Sequence, residues 1–261
     1  MFNPTRLFLC RYPGGKVRTA GWILRNFPPH DRYVEAFAGA ANVLLNKARS
    51  RSEWLIERDA AQAILLRVVR DRDAEFADRV SRVHYSREVF EESVDRLRRG
   101  DWGDELDLAT HVYLARQLSR GGKGDAYSRH RGPRIRRWWS GCLGRLPLVS
   151  ARLQDVQIVD GDAMEWLRLL DGPDMLAYCD PPYLWSTRSR GRPYRHEMDD
   201  GAHRDLLGVL DALSGRVVLS GYPSRLYDDA LAGWARVEKE RAMDCWLRGP
   251  RPRRTEVLWI G

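Results

Sequence analysis

The run Met175-Leu176-Ala177-Tyr178-Cys179 leads directly into Asp180-Pro181-Pro182-Tyr183, and no other stretch restricts the fold so tightly. A short, largely apolar run without polar alternation reads as a strand buried on both faces and is too short for a helix. Two consecutive prolines cannot donate to a sheet ladder and hold the preceding residue extended, so the strand must stop at Asp180. A carboxylate, the carbonyl of Pro181 and the ring of Tyr183 therefore share a stiff loop at a strand's carboxyl end. Ligands of open α/β sheets gather at that edge. Asp-Pro also opens ordinary turns, so the meaning of this loop depends on what accompanies it.

The flanking chain supplies the rest of a sheet. Tyr33-Val34-Glu35-Ala36-Phe37 reads as a strand, followed by the small-residue turn Ala38-Gly39-Ala40-Ala41 and a helix expected over 42–47. Strand, small turn and helix form the first unit of a nucleotide-binding sheet, where small residues let a ligand approach the helix amino end. Trp54-Leu55-Ile56-Glu57 is a second strand ending in an acid. Glu57 follows Gly39 at close to the ~20-residue spacing at which an acid accepts ribose hydroxyls; a surface glutamate at a strand end fits equally, and Asp59 is the rival candidate. Ala61, Ile64, Leu65 and Val68 then share one helical face. A strand at Val156–Val159 runs into Asp160-Gly161-Asp162 and a helix over 163–170. After the Asp-Pro-Pro-Tyr loop come a helix with Leu206, Leu207, Leu210 and Leu213 inward and a strand at Val217-Val218-Leu219. Two antiparallel strands, over 235–241 and 255–260 and joined near Arg248-Gly249-Pro250, close the chain. Near the start, Arg11-Tyr12-Pro13-Gly14-Gly15-Lys16 is a tight glycine turn ending in lysine. It lacks the spacing of a P-loop.

A chain of 261 residues with 43% hydrophobic content can bury one α/β core and still carry an insertion. No apolar run reaches membrane-span length, and Met1-Phe2-Asn3-Pro4 does not open a signal peptide. The cysteines (Cys10, Cys142, Cys179, Cys245) form no C-x-x-C pair, which suits reduced thiols in a cytoplasm and argues against a metal site. Neither H-E-x-x-H nor G-x-S-x-G occurs, so metalloprotease and α/β-hydrolase chemistry lack their parts.

Net charge is +8, yet the segment from Arg116 to Arg152 alone carries ten Lys/Arg against one acid, and the remainder sums to about −1. The α/β alternation lapses beyond Asp71. Helices are expected over 86–98 and 106–118, then a glycine loop at Arg120–Asp125, then a basic loop from Arg129 to Arg137 ending in Trp138-Trp139. Charged segments usually form a solvated face, but charge of nearly one sign interleaved with aromatics suits phosphate contact and base stacking. The candidates for DNA contact are Arg120, Lys123, Arg129, Arg131, Arg134, Arg136 and Arg137. Arg188, Arg190 and Arg192 join them from the loop over 184–200, whose length and lack of apolar periodicity suggest movement until substrate binds.

The central loop suits methylation of an exocyclic amine. Such an amine is a poor nucleophile because its lone pair is conjugated into the ring. The Asp180 carboxylate and the Pro181 carbonyl can accept its two N–H bonds and free the lone pair, while Tyr183 stacks on the base.

Five stretches in order, Tyr12–Lys16, Val34–Ala40, Gly161-Asp162, Asp180–Tyr183 and Thr255–Ile260, resemble the Dam-type DNA adenine-N6 methyltransferase family. So does the run from Ser186 through Tyr194, Glu197 and His203. The likeness is weak over roughly residues 72–150, where that family keeps its variable target-recognition insertion. The resemblance implies a Rossmann-like S-adenosylmethionine-dependent methyltransferase fold, with a seven-stranded, mostly parallel sheet, a terminal antiparallel hairpin and a helical insertion. Residues 1–71 and 151–261 would form the catalytic domain, and 72–150 the basic recognition insertion. Tyr12, Pro13, Gly14, Gly15 and Lys16, with Glu35, Ala36, Phe37, Ala38, Gly39 and Ala40, would wrap the methionine end of the donor. Glu57 with Arg58 would hold its ribose, and Asp162 with Ala163 would lie near its adenine. Asp180, Pro181, Pro182 and Tyr183 would receive a flipped base.

The sequence departs from the family's pattern in two places. Ala41 stands at the last glycine of the aromatic-x-Gly-x-Gly turn and is expected to keep a negative φ, shifting the loop. Glu57 replaces the usual aspartate. The expected activity is adenine-N6 methylation of a base rotated out of duplex DNA, with no metal, yielding S-adenosylhomocysteine in a bacterial or phage setting. A link to a restriction system is left open. Cytosine-N4 or RNA methylation, or an inactive DNA-binding protein of the same fold, are the alternatives. A cytosine-C5 mechanism is set aside because Cys179 would point back along its strand.

Overall fold

Seven strands order themselves around the pair that is buried on both faces. The computed structural model describes residues 6–129, 134–188, 194–242 and 253–261, without the side chains of 134–136 and 242. Its strands are β1 (Arg32–Ala36), β2 (Ser52–Glu57), β3 (Gln157–Asp160), β4 (Met175–Cys179), β5 (Arg216–Gly221), β6 (Ala235–Ala242) and β7 (Arg253–Ile260). They form one sheet in the order β3-β2-β1-β4-β5-β7-β6, parallel except for β7, which runs antiparallel to both its neighbours. This is the Rossmann-like methyltransferase arrangement. The strand order reverses between β1 and β4, and every residue of β4 is buried. That reversal opens a crevice above the two strands' carboxyl ends.

The helices are α1 (Ala20–Leu24), α2 (Ala60–Asp71), α3 (Asp73–Ser81), α4 (Arg87–Arg99), α5 (Glu105–Leu118), α6 (Arg134–Leu143), α7 (Leu146–Leu153), α8 (Ala163–Leu169), α9 (Asp200–Asp211) and α10 (Arg225–Ala230). One sheet face packs under α8, α9 and α10 through Leu167, Leu206, Leu210 and Tyr227. The other joins α2 to α7 in a single apolar cluster running from Leu176 and Val218 to Phe76, Tyr113 and Trp139. The helices between β2 and β3 therefore share a core with the sheet. Among the described residues no helix is long and apolar enough to cross a membrane.

Three local readings change. Only a 3₁₀ turn, Leu44–Asn46, occupies the stretch expected to be a helix over 42–47. The Asn46 and Lys47 amides bond carbonyls three residues back, at Val43 and Leu44, which closes the turn as 3₁₀, while Glu35 accepts the Leu44 amide and the Asn46 side chain bonds Leu7. Where the alternation lapsed, α3 forms, burying Phe76 and Val80 four residues apart. The basic loop into Trp138-Trp139 is instead partly helix: α6 begins at Arg134. Trp139 is buried against Tyr113, and Trp138 lies beneath the Arg11 guanidinium at 4.5 Å. Trp139 thus belongs to the core, and the half-buried Trp138 packs against it. Arg131, Arg190, Arg192, Cys245 and the join near Arg248-Gly249-Pro250 lie outside the described residues, as do the side chains of Arg134 and Arg136.

Candidate active site

Register brings the two key loops together. Ala36 pairs with Cys179, so Phe37 and Asp180 leave the sheet side by side. Asp180 Oδ1 lies 2.8 Å from the ammonium of Lys16, the last residue of the glycine turn. Lys16 is buried, also donates to the Gly14 carbonyl at 3.2 Å, and stands 4.8 Å above the Tyr183 ring. Burial disfavours its charge, but Asp180 and Glu256 outweigh that and raise its pKa, so it stays an ammonium. Burial pushes the Asp180 carboxyl up, with Lys16 opposing. Gly14 holds φ +69°, and a β-carbon there would strike the Tyr194 hydroxyl, so the turn requires glycine.

The first cavity lies on the β1–β2 side of this pair and is lined by the glycine turn, Glu35, Phe37–Ala40, Glu57–Asp59 and Gly161–Met164. Glu35 Oε2 accepts from the Tyr33 hydroxyl (2.9 Å) and the Leu44 amide (2.7 Å). Glu57 accepts from the Gly39 amide (2.6 Å) and the Asp59 amide (2.8 Å), so it is built into the turn and is no surface residue. Burial pushes both carboxyls up to about 7. Asp59 is also buried, with Arg116 of α5 and Arg195 each 3.4 Å away. Asp162 caps α8 by accepting from the Met164 amide at 2.9 Å, and Arg58 reaches toward it at 3.7 Å. Ala163 opens that helix at the cavity wall. Ala36, Pro181 and Ala41 are buried and do not line this cavity, because their side chains face the packed interior.

The expected negative φ at Ala41 is not adopted. Ala41 holds +53°, and Phe37 and Gly39 are also left-handed at +67° and +53°. The turn takes at Ala41 a left-handed backbone of the kind glycine adopts freely. It does so because Ala41 is fully buried and its amide bonds the Ala38 carbonyl at 2.7 Å, so packing holds a conformation that an isolated alanine disfavours.

A second cavity opens on the other side of Lys16, with Tyr183, Tyr194 and Tyr222 on its walls and Arg120, Lys123, Arg241 and Arg254 around it. Tyr183 meets Tyr222 edge to face at 4.6 Å, and Arg254 lies 5.1 Å over the Tyr222 ring. Arg120, Lys123, Arg129 and Arg137 are exposed. Arg188 is half-buried and paired with Glu197 at 2.7 Å, so part of its charge is neutralised within the fold. Two other cations of the basic segment also turn inward: Arg116 to Asp59, and Arg152 to Glu53 at 2.7 Å. In the loop over 184–200, Leu184 and Met198 are buried in the core, and Tyr194–Met198 forms part of the first cavity's wall. Cys179 is sealed in β4 with its thiol pKa pushed up by burial, unsuited to nucleophilic attack.

Sequence reading did not assign Asn42, Arg116, Tyr194, Tyr222, Arg241 or Arg254 to the site. Tyr222 follows β5 directly, so the strand-end rule that found Asp180 also reaches it. Arg11 ties the glycine turn to the inserted helices: its amide donates to Gln117 Oε1, and its guanidinium to the Ser119 carbonyl and Ser128 Oγ, each at 3.1 Å. Gly122, at φ +75°, packs so closely that a β-carbon would strike the Arg11 backbone. Among the described residues no group of three or more His, Cys, Asp and Glu is arranged to hold a metal ion.

A search of curated proteins found no match. Among solved structures, the precorrin 8W decarboxylase of Methanobacterium thermoautotrophicum aligns over 94% of this chain and 88% of its own, at 16% identity and a TM-score of 0.34, too loose a likeness to carry an argument. The family model of the D12 class N6 adenine-specific DNA methyltransferases matches residues 12–243, and the chain belongs to that family.

Proposed function

We propose that the protein transfers a methyl group from S-adenosylmethionine to the exocyclic amine of an adenine rotated out of duplex DNA, at a specific sequence, leaving S-adenosylhomocysteine. The observation that carries this reading is Lys16, which lines two cavities of differing character and holds Asp180 at the wall of the first. The first fits the donor. Four carboxyl groups (Glu35, Glu57, Asp59, Asp162) suit a sulfonium cation and ribose hydroxyls, and Phe37, Ile56 and Met164 offer apolar surface to an adenine ring. A β-carbon on Gly39 would fall 2.7 Å from the Tyr12 ring, so that wall has no room for a larger residue. The second cavity, aromatic and cationic, suits a base with its phosphates.

When bound, the donor supplies an electrophilic methyl group. The protein's residues do the rest. Asp180 and the Pro181 carbonyl accept the two N–H bonds of the target amine, and Lys16 keeps Asp180 ionised for that task. Tyr183 holds the ring plane, and the closed loops exclude water. Residues 72–150 form the recognition part, with Arg120, Lys123, Arg129 and Arg137 contacting phosphates. Residues 1–71 and 151–261 form the catalytic part.

Mass spectrometry of nucleosides from treated duplex DNA tests the substrate. N6-methyladenine is expected, and methylcytosine without it overturns the assignment. Asp180→Ala should abolish transfer while calorimetry finds donor affinity near wild type; unchanged turnover in that variant removes the carboxylate from the mechanism.

A further inference from the structure

Glu256 of β7 is a buried acid, 1% exposed, for which the chemistry above has no use. One of its oxygens accepts the Tyr183 hydroxyl at 2.7 Å, and the other accepts Arg241 Nε of β6 at 2.8 Å. Ser220 of β5 completes the group, its Oγ 3.1 Å from the same hydroxyl. Residues of β5 and β7 thus meet at one phenol, and β6 backs the acid through Arg241. A buried carboxylate is costly unless paired, and the fold could satisfy Tyr183 with Ser220 alone. A charge-assisted bond is shorter and stronger than a neutral one, and strength of that kind fixes a ring in place.

We infer that Glu256 is a positioning residue of the methyl-transfer site, acting through the Tyr183 hydroxyl to fix the ring against which the target base lies. The inference rests on the proposed function, since it assumes that a base enters beside Tyr183. Arg241, at 2.8 Å, holds the carboxylate in its orientation. Lys16, 4.8 Å over the Tyr183 ring, already holds the Asp180 carboxylate, so ring and acceptor are both referred to one frame.

The test is a double-mutant cycle on methyl-transfer rate, with Tyr183→Phe, Glu256→Gln and the combination. Tyr183→Phe leaves the Glu256–Arg241 pair intact, and Glu256→Gln keeps the shape of the acid, so both variants should fold. Each single change should lower kcat roughly 10-fold, the loss of one hydrogen bond to a charged group, with KM for the donor unchanged. The double variant should be no slower than Tyr183→Phe, because both changes cut the same link. With 2-aminopurine in place of the target adenine, both single variants should alter the bound fluorescence in the same way, a readout that needs no turnover. Losses that multiply in the double variant, or a Glu256→Gln enzyme with wild-type kcat and fluorescence, overturn the role of Glu256 while the enzyme's activity stands. A wild-type protein that methylates no DNA sinks the functional reading and this inference together.

Discussion

Replacing Lys16 with methionine removes the ammonium 2.8 Å from Asp180 and leaves a carboxyl, only 19% exposed, to face burial alone. At an effective dielectric of about 20 and this separation the gross attraction is about 6 kcal/mol. Relaxation and water entry reduce what is felt, and a close opposite charge typically moves a carboxyl's titration by about 1–3 pH units. That corresponds to about 1–4 kcal/mol. The direction is fixed: without Lys16 the carboxyl ionises only at higher pH, and in the proposed mechanism the ionised form is the stronger acceptor of the amine's N–H bonds. The acid limb of the kcat profile should therefore move up by about 1–3 pH units. Activity should fall on the acid side and be regained as pH rises, whereas Lys16→Arg should stay near the wild-type profile. Single-turnover methyl transfer from pH 5 to 10 measures this, with calorimetry reporting donor affinity. A uniform fall in rate, with the limb unmoved, would refute the claim that Lys16 acts through the Asp180 charge.

Other consequences follow from groups already described. Burial lifts Glu35 from its ordinary 4.5 to about 7, so the fold holds this proton more tightly than the unfolded chain. Its stabilising share is full below pH 4.5 and lost as pH rises toward 7; Glu35→Gln should gain on wild type by about 3 kcal/mol across that window in urea titrations. Ala41→Gly relieves a left-handed alanine, about 1–2 kcal/mol, but gives up a buried methyl (about 0.8 kcal/mol) and adds unfolded-chain freedom (about 0.4–1 kcal/mol). Stability should therefore stay nearly unchanged, and a loss beyond about 1.5 kcal/mol on denaturation contradicts the strain argument. Arg120→Glu and Lys123→Glu should each lower the slope of log affinity against log salt by about 1 in DNA titrations; a constant slope places the phosphates elsewhere.

The sequence was most legible where one residue type admits few conformations. Two prolines ended β4 at Asp180, and the apolar runs located β1, β2 and β5, because burial on both faces leaves a clear mark. In the terminal hairpin only β7 carries that mark, in the buried run Glu256–Trp259, and no residue over 235–241 in β6 is buried. Less was visible where a distant partner decided. Over 42–47 the Leu44 amide meets Glu35 and the Asn46 side chain meets Leu7, distant contacts that nothing local announces. Trp138 and Trp139 beside several arginines read as a stacking surface; only the approach of Tyr113 and Arg11 turns them inward. Ala41 is the sharpest case, since its own preference pointed away from the φ that its surroundings impose. The cations show the same limit: charge was countable, but not which of Arg116, Arg152 and Arg188 the fold would neutralise with its own acids.

The seam between Arg11 and the residues around Gln117, Ser119 and Gly122 bears on how such an enzyme changes its target. On the proposed reading, grafting a foreign segment for 72–150 would exchange the part that reads bases, but also the surface against which the glycine turn is braced. A chimera cut at those boundaries should recognise its new site yet hold its donor loosely. One that keeps 116–128 native should escape that defect, so the workable crossover lies inside the inserted helices, upstream of Arg116, and not at their ends.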